Sequence, residues 1–259
     1  MSYMDNDGAR LYYELEGRED APVLVLSNSL GTTLDMWAPQ MPALLQHFRV
    51  LRHDARGHGR SDVTPGPYTI AQLGADVLAL MDHLKIDRAH FCGLSMGGMI
   101  GMWLGTHHAG RLNRLVLCNT AAKIGSPDTW NPRIAKVDAE GMASIVDTVL
   151  ERWFTAGFRQ RAPDEVAVVR DMLLDTAPAG YSANCAAVRD MDQRAEIASI
   201  GVPTLVIAGT HDGSTPAADG RAAADAIPGA RYVELDAAHL SNWEQREQFT
   251  QALLGFLTA

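Results

Sequence analysis

Six short apolar runs punctuate this chain: APVLVLSNS (21–29), FRVLRHD (48–54), AHFCGLS (89–95), RLVLCNT (114–120), PTLVIAGT (203–210) and ARYVELD (230–236). Apolar residues follow one another in them rather than alternating, the pattern of strands covered on both faces, as in a parallel sheet. Between the runs, TIAQLGADVLALMDHLK (69–85) and MGGMIGMWLGTHHA (96–109) repeat apolar residues at three and four positions, which predicts helices. Thr69 opens the first of them, where a capping hydroxyl belongs. ARLYYELEG (9–17) alternates more and predicts an antiparallel strand at the sheet's edge.

The alternation of strand and helix stops near residue 121 and resumes near 202. The interval offers helical, Met- and aromatic-containing stretches instead: MASIVDTVLERWFTAGF (142–158), PDEVAVVRDMLLDTA (163–177) and YSANCAAVRDMD (181–192). The expected architecture is α/β: a mainly parallel central sheet with helices on both faces, its core formed by residues 1–120 and 202–259. Residues 121–201 are expected to form a helical cap, because their amphipathic faces need a surface to cover.

Chemistry concentrates at FCGLSMGGM (91–99), where Ser95 stands between Gly93 and Gly97 after an apolar run and before a small-residue helix. Read alone, the string is a tight turn between buried elements. In this setting it also fits a nucleophile elbow, in which glycines let the backbone bend sharply beneath the serine. A serine hydroxyl needs a base oriented by an acid, and in this fold the acid and base follow later strands in that order. TLVIAG is followed by THDGSTP, which offers Asp212; RYVELD is followed by AAHLSNWE, which offers His239. Each alone is an ordinary turn or loop residue; their order and strand-end positions point to a triad with Ser95.

Two backbone amides should complete such a site, one after the serine and one at an early strand end. Met96 and Leu30 occupy those positions, with Asn28 the expected brace of the Leu30 loop. In DARGHGRSD (54–62), Asp54 and Arg56 read as structural.

Composition narrows the classes. A net charge of −9 argues against a nucleic-acid partner, which requires a basic face. No run approaches the ~20 apolar residues of a membrane span, and the first residues carry acids where a leader peptide would carry lysines. Cys92, Cys118 and Cys185 are odd in number and read as reduced and buried, and adjacent His107 and His108 as surface residues. With no metal-ligand spacing in the sequence, a protein of the cytoplasm with no metal and no cofactor is expected.

With Ser95, Asp212, His239, SNSLGTTLDMW, DARGHGRSD and the cap placed, the chain resembles the α/β-hydrolases over essentially its whole length. At closer range SNSLGTTLDMW, CGLSMGGMIGMWLG and GYSANCAAVRDMDQR (180–194) resemble the 3-oxoadipate enol-lactonases. Asn28 and Ser29 depart from a common pattern here: Asn28-Ser29-Leu30 stands where related enzymes carry His-Gly-X. The resemblance implies serine-based opening of an anionic lactone, a small-molecule partner, without metal, nucleotide or flavin. It also implies a cation for the substrate's free carboxylate, among the cap's lysines and arginines. Arg133, in the irregular-looking SPDTWNPRIA beside Trp130, is the favoured residue, with Arg189 second and Trp153 a candidate apolar wall. A general carboxylesterase or cofactor-free perhydrolase would use the same triad, and a non-catalytic ligand receptor is the reading from another class.

Overall fold

Residues 2–259 are described by a computed structural model of the chain. Its strands run β1 (Ser2–Asn6), β2 (Ala9–Glu16), β3 (Val23–Ser27), β4 (Arg49–His53), β5 (Ala89–Leu94), β6 (Leu112–Cys118), β7 (Thr204–Gly209) and β8 (Arg231–Leu235). They form a sheet in the order β1-β2-β4-β3-β5-β6-β7-β8. β3 to β8 are parallel to one another, while β2 is antiparallel to both β1 and β4. β5 and β7 are buried at every residue, which is why their sequences read as unbroken apolar runs.

The stretch at 9–17 is antiparallel as expected, but it is not the edge. β1 pairs along it from Ser2↔Tyr13 to Asn6↔Ala9. SYMDN is short and polar and carries no apolar run, so its strand character comes from pairing with β2.

The helices are α1 (Met41–Leu44), α2 (Ile70–His83), α3 (Met96–His107), α4 (Pro127–Glu140), α5 (Val146–Trp153), α6 (Ala156–Arg161), α7 (Pro163–Asp175), α8 (Pro178–Asp190), α9 (Ala217–Ala226), α10 (Ser241–Glu244) and α11 (Arg246–Leu257). Thr69 caps α2 by accepting from the Gln72 amide at 3.0 Å. Helices α4 to α8 fill the interval between β6 and β7, with α4 packed on α8 and α5 on α7. SPDTWNPRIA is therefore helical rather than irregular. Pro127 sits in the first turn, where its missing N–H has no intrahelical partner to lose, and the chain continues helically through Pro132 with Trp130 and Val137 buried.

These helices are tied to the sheet by polar contacts. Buried Glu244 accepts from the Ala238 amide at 3.0 Å and from the Thr155 hydroxyl and amide. Gly180 on α8 meets the loop after β4 so closely that a Cβ there would fall 2.2 Å from the Gly57 carbonyl oxygen. Among the described residues no helix is long and apolar enough to cross a membrane.

Candidate active site

Ser95 follows β5 and precedes α3 with φ 58° and ψ −115°, a left-handed turn that a non-glycine residue adopts only where its surroundings hold it. The surroundings are visible. The Ser95 amide donates to the Cys118 carbonyl at 2.8 Å and its own carbonyl accepts from the Thr120 hydroxyl at 2.7 Å. Glycine is required nearby: a Cβ on Gly93 would lie 2.1 Å from the Gly97 oxygen, and one on Gly97 would lie 2.2 Å from the Ser27 oxygen. The first turn of α3 can therefore pass directly over the ends of β3 and β5.

Asp212 follows β7 and His239 follows β8. His239 Nδ1 lies 2.8 Å from Asp212 Oδ2, with both side chains buried. Asp212 also accepts from the Thr215 hydroxyl at 2.7 Å, the Ser214 and Thr215 amides at 2.8 and 2.9 Å, and Asn119 Nδ2 at 3.1 Å. Burial pushes this carboxyl upward, but the His239 charge and the donated hydrogen bonds outweigh it, and the group titrates below its ordinary range.

The loop after β3 is fixed from several sides. Asn28 donates to the His53 carbonyl at 2.7 Å and accepts from Trp37 Nε1 at 3.0 Å, and its own carbonyl accepts from the Gly97 amide. Asp54 accepts from the Leu34 amide at 2.8 Å, and the Gly31 amide donates to His58 Nε2 at 2.8 Å. Among the described residues neither the Leu30 nor the Met96 amide has an acceptor. Arg56 is buried in a bidentate pair with Asp76.

Ser95, His239, Leu30, Trp130, Arg133 and Trp153 line one cavity of about 610 Å³. The Trp153 ring stacks on His239 with centroids 6.0 Å apart. Arg133 is half-buried and has no carboxylate partner among the described residues; its guanidinium lies over the Trp130 and Tyr181 rings and donates to the Tyr181 hydroxyl. Lys136 and Arg152 reach the cavity from its exposed side. Arg189 does not line the cavity. Its guanidinium grips Asp190 through two hydrogen bonds of 2.7 Å and reaches Asn131 at 2.8 Å, because a carboxylate one residue away satisfies it. The three cysteines are free and buried.

The family model for the alpha/beta hydrolase fold matches residues 22–245. The chain belongs to the alpha/beta hydrolase family. Two proteins of Acinetobacter baylyi named as 3-oxoadipate enol-lactonases 1 and 2 are each 42% identical to it. The first aligns over 98% of this chain and 95% of its own length, the second over 94% and 91%. The crystal structure of the enol-lactonase from Burkholderia xenovorans superposes with a TM-score of 0.98 at 54% identity, over the whole of both chains.

Sequence reasoning missed several residues on which this hydrolase's site rests. Thr215 lies three residues after Asp212, and the pattern D-x-S-T is a recognisable signal for a side chain that accepts from the amides ahead of it. His58, Asn119 and Tyr181 gave no local signal, since Gly31, Asp212 and Arg133, which they bind, lie 27, 93 and 48 residues away.

Proposed function

We propose that this alpha/beta hydrolase opens the ring of 3-oxoadipate enol-lactone to give 3-oxoadipate, a step of aromatic-compound catabolism in the cytoplasm. The observation that carries the reading is the cavity that joins Ser95 and the His239–Asp212 pair to an arginine with no carboxylate partner among the described residues. The enol-lactonases it resembles at 42% and 54% identity support the choice of substrate.

In the mechanism, His239 takes the Ser95 proton as the hydroxyl oxygen bonds to the lactone carbonyl carbon. The Leu30 and Met96 amides stabilise the oxyanion. Collapse of the tetrahedral intermediate breaks the ring C–O bond as protonated His239 gives the Ser95 proton to the departing enolate, which tautomerises to the 3-oxo group and leaves the imidazole neutral. Water, deprotonated by His239, then displaces Ser95 from the acyl carbon, and the serine regains its proton. Asp212 holds the imidazole in the needed tautomer and stabilises its charged form. Residues 121–201 act as a cap whose Arg133 pairs with the substrate's free carboxylate, while Trp130 and Trp153 wall the ring. A guanidinium suits that role because its fork meets both carboxylate oxygens.

Loss of enol-lactone ultraviolet absorbance with purified protein, abolished in Ser95→Ala, is the expected result. Turnover of p-nitrophenyl acetate far above that of the enol-lactone would instead identify a general carboxylesterase.

A further inference from the structure

Arg133 does not hold its own position. A free arginine side chain has several rotatable bonds, and aiming it at a substrate carboxylate costs rotamer entropy unless the protein has already met that cost. Here the guanidinium carbon lies 5.4 Å from the Trp130 ring centroid and 5.5 Å from that of Tyr181. The two rings confine the planar group. Its edges carry the N–H donors, and among the described residues the Tyr181 hydroxyl is the only acceptor any of them meets. Among the described residues Arg133 Nε is buried and has no hydrogen-bond partner. Tyr181 itself is fully buried on α8 and does not line the cavity, so it cannot touch a ligand there.

Tyr181 has a second contact that gives this arrangement a purpose. Gly31 has φ +81°, and a Cβ there would fall 2.7 Å from Leu173 Cδ2 and 3.1 Å from Tyr181 Cε2. The ring edge of Tyr181 thus lies against the loop that carries the Leu30 amide, while its hydroxyl holds Arg133. The two groups assigned to opposite ends of the substrate, oxyanion donor and carboxylate cation, are referenced to one rigid side chain.

We infer that Tyr181 is a positioning residue for anionic substrates: through its hydroxyl it orients Arg133 toward the substrate carboxylate, at a distance from the Leu30 loop set by its ring. This rests on Arg133 being the carboxylate-reading residue. Tyr181→Phe removes the hydroxyl and keeps the ring, so packing against Gly31 and Leu173 is retained.

The test compares wild type, Tyr181→Phe, Arg133→Ala and the double variant on 3-oxoadipate enol-lactone and on neutral p-nitrophenyl acetate. Tyr181→Phe should raise KM for the lactone about three- to tenfold, the worth of one hydrogen bond, with kcat within about twofold. Ester hydrolysis should be unchanged, and the double variant should be no worse on the lactone than Arg133→Ala, because the hydroxyl acts only through the guanidinium. Equal damage by Tyr181→Phe to both substrates, or multiplicative effects in the double variant, would overturn the inference while leaving Arg133 in its role. If Arg133→Ala damages both substrates equally, the carboxylate-reading role fails first, and the positioning role with it.

Discussion

The Gly31 amide donates to His58 Nε2, so the turn carrying the Leu30 amide is held by a ring 27 residues further along the chain. That bond requires neutral His58. Burial pushes the His58 pKa down to about 4, and it does the same to His53, whose carbonyl anchors Asn28.

A pH dependence of stability follows. An unfolded histidine titrates near 6.5, so between about pH 6.5 and 4 the unfolded chain binds protons that the folded chain refuses. Stability contributed by both rings is complete above that window and declines as pH falls through it. Denaturant unfolding at pH 7, 6 and 5 should show the decline, and His58→Gln should make it shallower by up to about one proton. A flat profile in the wild type would contradict two buried neutral histidines.

The His239–Asp212 pair makes a sharper prediction about catalysis. Ser95→Ala should lower kcat roughly 10⁵-fold or more, His239→Ala nearly as much and Asp212→Asn somewhat less. The Ser95→Ala/His239→Ala double variant should be scarcely worse than either single one, since the groups act as a unit. Wild-type turnover by Asp212→Asn would place the acid elsewhere.

Lys136 and Arg152 give a chain of net charge −9 a locally positive cavity rim, and among the described residues neither pairs with a carboxylate. Such charges steer an anionic substrate through solvent and are screened by salt. The Lys136→Gln/Arg152→Gln variant should lose about two- to fivefold in kcat/KM for the lactone at low salt. It should also show a weaker dependence on ionic strength than wild type, with hydrolysis of the neutral ester unaffected.

Gly97→Ala tests the elbow's packing. The added methyl would meet backbone rather than a flexible side chain, 2.2 Å from the Ser27 oxygen and 2.5 Å from its carbonyl carbon. Since β3 and α3 would have to part, the variant should unfold several degrees earlier in a thermal melt and turn over poorly. A wild-type melting curve would mean that α3 sits further from the sheet.

Features encoded in near neighbours were legible along the chain. Buried parallel strands read as apolar runs because both faces are covered. Ser95 stood out because a strained turn needs glycine on both sides, and Asp212 and His239 because each follows a strand at its carboxyl end. The same logic failed where the determining contact was distant. β1 is a strand through its pairing with β2, which made 9–17 look like an edge. The chemical type of Arg133 and Arg189 is identical, and only the fold separates them: one is given two aromatic faces and a tyrosine hydroxyl 48 residues away, the other the carboxylate next to it. Local pattern records which face of an element is buried and where the backbone must bend. Which charge remains unpaired in a cavity depends on the partners that long-range packing brings to it, and no local pattern records those.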